Sequence, residues 1–139
     1  MVALRGSCHC GAVGYVVGSA PVAVVNCHCT LCRSLTGSAF TTYAVVRQGD
    51  VSVQGQSDVR KYQATEAATR HFCTKCGTPL FNTNPSMYPG VLMLYLGTIA
   101  ASDRMPPPVN IFCADMLDWV ASLTTLKSFP GVPGQGAGA

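Results

Sequence analysis

The sequence predicts an all-β domain, and three observations carry that expectation. Short apolar segments rich in Val, Thr, Tyr and Phe recur at close intervals, each bounded by Gly, Pro, Ser or Asp. Helical periodicity is scarce. Hydrophobic residues make up 48% of the chain and charged ones only 11%, the balance of a packed globular protein. At 139 residues the chain is long enough for one domain with a core of its own.

Taken in order, the expected strands are Ala12–Val17, Val22–Cys27, Ala39–Val46, Val51–Gln54, Val59–Gln63, Ala67–Cys73, Pro79–Thr83 and Val91–Leu96. Gln48-Gly49-Asp50 and Gly55-Gln56-Ser57-Asp58 read as hairpin connections. A helical turn is expected after Cys32. A short helix is expected over Asp115–Leu123, with Asp115 as its cap and Met116, Val120 and Leu123 along one side. Met105-Pro106-Pro107-Pro108 is a rigid extended loop, because successive prolines fix φ and donate no ladder bonds. The domain is expected over residues 1–130, followed by a flexible Gly/Pro-rich tail at 131–139.

Seven of the eight cysteines fall into three tight groups: Cys8/Cys10, Cys27/Cys29/Cys32 and Cys73/Cys76. A C-x-C or C-x-x-C turn aims two sulfurs at one point and supplies half of a tetrahedral thiolate site. Two such pairs close a structural zinc site, whereas C-x-C-x-x-C supplies three thiolates and leaves a fourth position open for chemistry. Seven divides naturally into four and three, which predicts two zinc ions per chain. A disulfide framework is the rival reading. The first residues carry no basic stretch followed by an apolar one, so no export signal is expected, and a reducing cytoplasmic setting favours metal over bridges. Zinc is the default metal; an iron–sulfur cluster normally takes four cysteines.

The formal charge of +3 invites a nucleic-acid partner, but ligation needs deprotonated sulfur. Seven thiolates and two zinc ions bring that charge to zero. The nine Lys and Arg are scattered, with no basic stripe to track phosphates, so nucleic acid is set aside. The apolar run from Val91 to Ala101 is too short to cross a bilayer, so no membrane partner is expected.

Gly6-Ser7-Cys8-His9-Cys10-Gly11, Cys27-His28-Cys29-Thr30-Leu31-Cys32-Arg33 and Phe72-Cys73-Thr74-Lys75-Cys76-Gly77-Thr78-Pro79 together resemble the glutathione-dependent formaldehyde-activating enzyme family, which includes centromere-protein-V-like zinc proteins. Thr36-Gly37-Ser38, Ile111-Phe112 and Trp119 fit the same pattern, so the resemblance spans nearly all of residues 5 to 130. It implies folded antiparallel sheets of the kind found in zinc-binding nucleotide-exchange chaperones and methionine-R-sulfoxide reductases, with one or two short helices. It also implies a structural zinc on Cys8, Cys10, Cys73 and Cys76 and a second zinc on Cys27, Cys29 and Cys32. Asn110 departs from the pattern, since the family often has His before the Ile-Phe pair.

The chemistry expected of the open site is that of a carbon–sulfur lyase. A zinc held by three thiolates is a weak Lewis acid toward water but suits one more soft ligand. A small thiol such as glutathione would lose its proton there and add to an aldehyde. His28 and Arg33 are candidates to move a proton or pair with a substrate carboxylate, each against a plain structural role. His9 carries the same ambiguity at the structural site, and His71 is expected on the strand face opposite Phe72. Cys113, the eighth cysteine, is expected to be a small buried hydrophobe, and Phe112 and Trp119 to belong to the core. Two other classes compete: a zinc module without catalysis, in which a protein group closes the second site, and a redox enzyme using Cys113, which lacks a resolving cysteine. The sequence leaves the identity of thiol and aldehyde, and the oligomeric state, open.

Overall fold

A computed structural model describes residues 3–134. Ten strands and one short α-helix form two sheets: β1 Leu4–Ser7, β2 Gly14–Val17, β3 Ala23–Cys27, α1 Thr30–Thr36, β4 Thr41–Arg47, β5 Val51–Gln54, β6 Val59–Gln63, β7 Thr69–Cys73, β8 Pro79–Thr83, β9 Val91–Tyr95 and β10 Val109–Ile111. The smaller sheet has the order β1-β2-β5 and the larger β10-β3-β4-β9-β8-β7-β6. All neighbours are antiparallel except β10, which lies parallel to β3. The all-β expectation holds.

Strand alternation gives the larger sheet two different faces. Ala44, Val46, Leu92, Leu94 and Phe81 pack with Tyr15 and Val17 of the smaller sheet, and with Val13 just before it, into the main core. On the opposite face Val25, Cys27, Tyr43 and Tyr95 form a second buried group with Cys32 of α1. One face of the sheet therefore stabilises the fold, and the other carries the cysteine triad.

Both expected hairpins are corrected. β5 pairs with β2 in the smaller sheet, while β4 and β6 lie in the larger one. The turns at Gln48–Asp50 and Gln56–Asp58 are single 3-10 turns that carry the chain from one sheet to the other and back. Turn residues signal a reversal but not which strand receives the chain. Gly55 makes the second crossing possible: its φ is +75°, and a Cβ there would collide with the Ala12 carbonyl.

Two strands escape sequence reading. β1 is a four-residue segment with a central glycine, and Gly6 is required because a Cβ would strike the buried Tyr15 ring. β10 has three residues and follows a proline run. The helix expected over Asp115–Leu123 is also corrected. The chain forms 3-10 turns at Cys113–Asp115 and Asp118–Thr125, and neither has a side-chain cap. Val120, Thr124 and Thr125 are β-branched, and no sheet face covers this segment, so nothing favours the wider α geometry. Trp119 and Phe112 lie outside the core, 54% and 47% exposed, and Phe112 adopts a left-handed φ of 57°. Of the expected tail, residues 131–134 form bends and turns, and 135–139 lie outside the described residues. Among the described residues no helix is long and apolar enough to cross a membrane.

Candidate metal centres

The first cysteine group assembles from two matching turns. Cys8-His9-Cys10 leaves β1, and Cys73-Thr74-Lys75-Cys76 leaves β7; each ends in a glycine with positive φ, Gly11 at 78° and Gly77 at 75°. The Gly11 N–H donates to the Cys8 carbonyl at 3.2 Å and the Gly77 N–H to the Cys73 carbonyl at 2.9 Å. A Cβ at either glycine would meet nothing, so backbone conformation alone calls for glycine. Both turns point backbone donors at sulfur: Val13 N–H to Cys8 Sγ at 3.3 Å and Lys75 N–H to Cys73 Sγ at 3.4 Å. The His9 N–H donates to Thr78 Oγ1 at 3.1 Å and latches one turn to the other, while the residue itself is exposed.

The four ligand atoms of Cys8, Cys10, Cys73 and Cys76 lie within 4.8 Å of one another. Neighbouring sulfurs are 3.6 Å (Cys8 to Cys10) and 3.8 Å (Cys10 to Cys73) apart. A tetrahedron with Zn–S bonds of about 2.3 Å has edges of about 3.8 Å, so the donor set fits zinc. The electrostatics point the same way. The Thr78 hydroxyl, with the N–H groups of Cys10 and Thr78, lowers the Cys76 thiol to about 5. Cys10 goes to about 11: the Ala12 N–H favours its thiolate, but burial and the three neighbouring sulfurs outweigh that donor. Four thiolates this close need a cation among them.

The second group forms where β3 runs into α1. Cys27 ends the strand, Cys29 is the helix N-cap and Cys32 sits in the first turn. Cys29 Sγ accepts the Cys32 N–H at 3.2 Å, the place usually filled by a Ser or Asp oxygen. At the other end Gly37, at φ 73°, donates its N–H to the Arg33 carbonyl at 2.7 Å. The three sulfurs lie within 4.8 Å of one another, and no fourth Cys, His, Asp or Glu atom joins them among the described residues. Cys27 and Cys32 sulfurs are 3.4 Å apart, again close to a tetrahedral edge. The bond from Cys32 lowers Cys27 to about 6, although burial opposes it; Cys32 is correspondingly raised.

His28 is buried, which favours the structural role over a solvent-facing one. Its ring packs on Phe40, centroids 5.0 Å apart, and Nε2 lies 3.0 Å from Asn110 Oδ1. Asn26 Nδ2 donates to the same oxygen at 3.1 Å, so the carbonyl of Asn110 serves two donors and His28 carries its proton on Nε2. His28 Nδ1 is buried without a partner among the described residues. Sharing the Asn110 oxygen with Asn26, which precedes Cys27 on β3, puts this ring on the strand face opposite the Cys27 sulfur. Arg33 Nη1 donates to the Asp115 carbonyl at 2.6 Å and ties α1 to the turn after β10. Cys113 lies in that turn and is exposed, which corrects the buried reading. His71 is buried on β7 and stacks on Phe81, centroids 4.3 Å apart, while Phe72 on the other face lies under Arg70.

Sequence reading missed the support beneath the triad. Tyr43, Asn82 and Tyr95 form a buried hydrogen-bonded row that ends on Cys32 Sγ. Tyr88, between β8 and β9, is raised by burial and by the charges of Cys27, Cys29 and Cys32, which places it in their field. A cleft of about 450 Å³ is lined by Thr36, Ser38, Phe40, Thr41, Thr78 and Thr98, and two of these residues connect it to the triad. Thr41 is the cross-strand partner of Cys27, and the Thr36 hydroxyl donates to the Cys32 carbonyl at 2.9 Å.

The sequence pattern of the glutathione-dependent formaldehyde-activating enzyme family matches residues 3–115. The chain belongs to this family. A Halomonas elongata protein provisionally named a glutathione-dependent formaldehyde-activating enzyme is 32% identical over 142 residues, covering 94% of this chain and 88% of its own. An uncharacterised lyase of Schizosaccharomyces pombe is 31% identical over 77 residues, 55% of each chain. The crystal structure of a Rhodobacter sphaeroides protein superposes with a TM-score of 0.61 at 25% identity, covering 76% of this chain and 98% of that one. The family match ends at residue 115, so both cysteine groups lie inside it and the turns from Asp118 onward lie outside.

Proposed function

We propose that the chain is a single zinc-binding domain over residues 1–130 that makes and breaks a carbon–sulfur bond between a small thiol, glutathione-like, and an aldehyde such as formaldehyde. In this reading Cys8, Cys10, Cys73 and Cys76 hold a structural zinc, and Cys27, Cys29 and Cys32 hold the working one. A reducing cytoplasmic setting would keep all seven sulfurs available. The observation that carries the reading is a triad of sulfurs at tetrahedral spacing that no fourth protein ligand joins among the described residues.

Zinc bound there supplies a soft Lewis acid that takes one further sulfur and keeps it deprotonated and nucleophilic. The rest falls to the chain. Cys27, Cys29 and Cys32 would hold the ion from a strand end and a capped helix, with no fourth protein ligand among the described residues. The hydroxyls of Ser38 and Thr41 line the adjoining cleft and can donate to an aldehyde oxygen, while the Thr36 hydroxyl is held by the Cys32 carbonyl. The thiol proton leaves to solvent on binding, and the aldehyde oxygen takes one from solvent as sulfur bonds to carbon; the reverse step returns both partners. His28 acts at one remove, because Asn110 holds it on the other side of β3 and its contact with the cleft is through Phe40.

The names of the Halomonas and fission-yeast relatives support an enzyme of this class. Glutathione and formaldehyde combine unaided, so the test is acceleration. Exchange NMR on the thiohemiacetal should show faster exchange with the zinc-loaded protein than in buffer, and buffer-level exchange with Cys29→Ala. Buffer-level exchange with both proteins, across several thiols and aldehydes, would leave the zinc module without catalysis.

A further inference from the structure

Three buried side chains beneath the triad form a hydrogen-bonded row that ends on Cys32, one of its sulfurs. The Tyr95 hydroxyl donates to Asn82 Oδ1 at 3.1 Å, Asn82 Nδ2 donates to Tyr43 Oη at 3.0 Å, and the Tyr43 hydroxyl donates to Cys32 Sγ at 3.3 Å. Tyr95, Asn82, Tyr43 and Cys32 are each under 10% exposed, at 5%, 9%, 3% and 8%. They come from β9, β8, β4 and α1, so the row is a product of the tertiary fold. In the observed direction every proton of the row has an acceptor, and the last one is delivered to sulfur.

We propose that Tyr43, held by Asn82 and Tyr95, is a positioning residue that makes Cys32 the anchored and least nucleophilic sulfur of the triad. This rests on the reading of the triad as a metal site. A hydroxyl donor draws electron density from a metal-bound thiolate, stabilises its charge and blunts its attack on electrophiles. The other two sulfurs are held differently. Cys29 Sγ takes a backbone N–H from Cys32, and Cys27 Sγ faces the Cys32 sulfur itself. The side-chain row therefore distinguishes one sulfur of three, and an electrophile should meet Cys27 or Cys29 as nucleophile before Cys32.

The test uses the cobalt-loaded protein. Subtracting the spectrum of Cys29→Ala, whose triad is incomplete, isolates the sulfur-to-cobalt charge-transfer band of the triad. Tyr43→Phe should move this band to lower energy and speed alkylation of Cys32 by iodoacetamide in the zinc-loaded protein several-fold. Tyr95→Phe, which also loses a buried hydroxyl but leaves the Tyr43 bond intact, should cost stability without moving the band. A ring-fluorinated tyrosine at position 43, a stronger donor of the same shape, should move the band the opposite way and covers the case that Tyr43→Phe folds poorly. An unmoved band in both position-43 variants, or an equal shift in Tyr95→Phe, overturns the assignment. An empty difference spectrum in the unsubstituted protein overturns the metal reading itself, and the assignment with it.

Discussion

Asn110 offers one carbonyl oxygen to two donors, the amide of Asn26 and the ring of His28, and thereby fastens β10 to β3. Removing that oxygen leaves a buried imidazole N–H without its acceptor. Asn110→Ala should destabilise the fold by about 1–3 kcal/mol, the usual cost of an orphaned buried donor. Asn110→Asp keeps an acceptor and should retain most of that stability. Paired denaturation curves would check both, and equal losses would mean that packing, not the shared oxygen, holds the strand. This interaction was not legible in the sequence. Asn110 stands out there as a departure from the family pattern, but its partners lie 84 and 82 residues away. The cysteine groups were legible because each is a local turn, and the turn itself brings the sulfurs together. Tyr43, Asn82 and Tyr95 are the opposite case: as isolated polar residues in strands they mean nothing until the sheet register puts them in line.

At the scale of elements the two cysteine groups differ in what they join. The first connects the end of β1 to the turn between β7 and β8, elements from different sheets. The second lies within one strand–helix junction. Cys73→Ala should therefore cost several kcal/mol, as loss of a structural metal does, whereas Cys29→Ala should leave the sheets folded with an empty triad. Cys29→Ala also removes the sulfur cap of α1, so a loss of about 1 kcal/mol is expected even there. Equal thermal destabilisation in both variants would contradict this division. Element types were readable from the β-rich segments, but partners were not. β5 looks like the middle of a meander and instead changes sheets, because a short turn reports reversal and not destination. The apolar spacing of Met116, Val120 and Leu123 suggested a covered helix, yet periodicity cannot say whether another surface exists to cover it.

For the whole molecule the metals and the charge are linked. With its thiols protonated the chain carries +3, and its isoelectric point is near 8.5. Two zinc ions on seven thiolates would bring it to neutrality at pH 7. Elemental analysis of freshly purified protein should find up to two zinc ions per chain. Native isoelectric focusing should show the isoelectric point rise after chelation under reducing conditions. A protein without zinc, or mass spectrometry showing bridges among these seven cysteines, would refute both statements.

The first cysteine group also sets an order of events. Cys10 and Cys73 are 63 residues apart, and most of both sheets is strung between them. An ion closed on this group shuts a long loop, and closing a loop of that length removes roughly 4 kcal/mol of freedom from the unfolded chain. Either turn alone offers two sulfurs, so an early-bound ion stays exchangeable until the distant half arrives. Capture should therefore come late, after the strands have met, and the ion acts as a clasp on a finished topology. Refolding with zinc added at increasing delays should give the same rate of strand formation, with a separate slower gain in resistance to chelator. A rate of strand formation that falls when zinc is withheld would place the clasp at the start of folding instead.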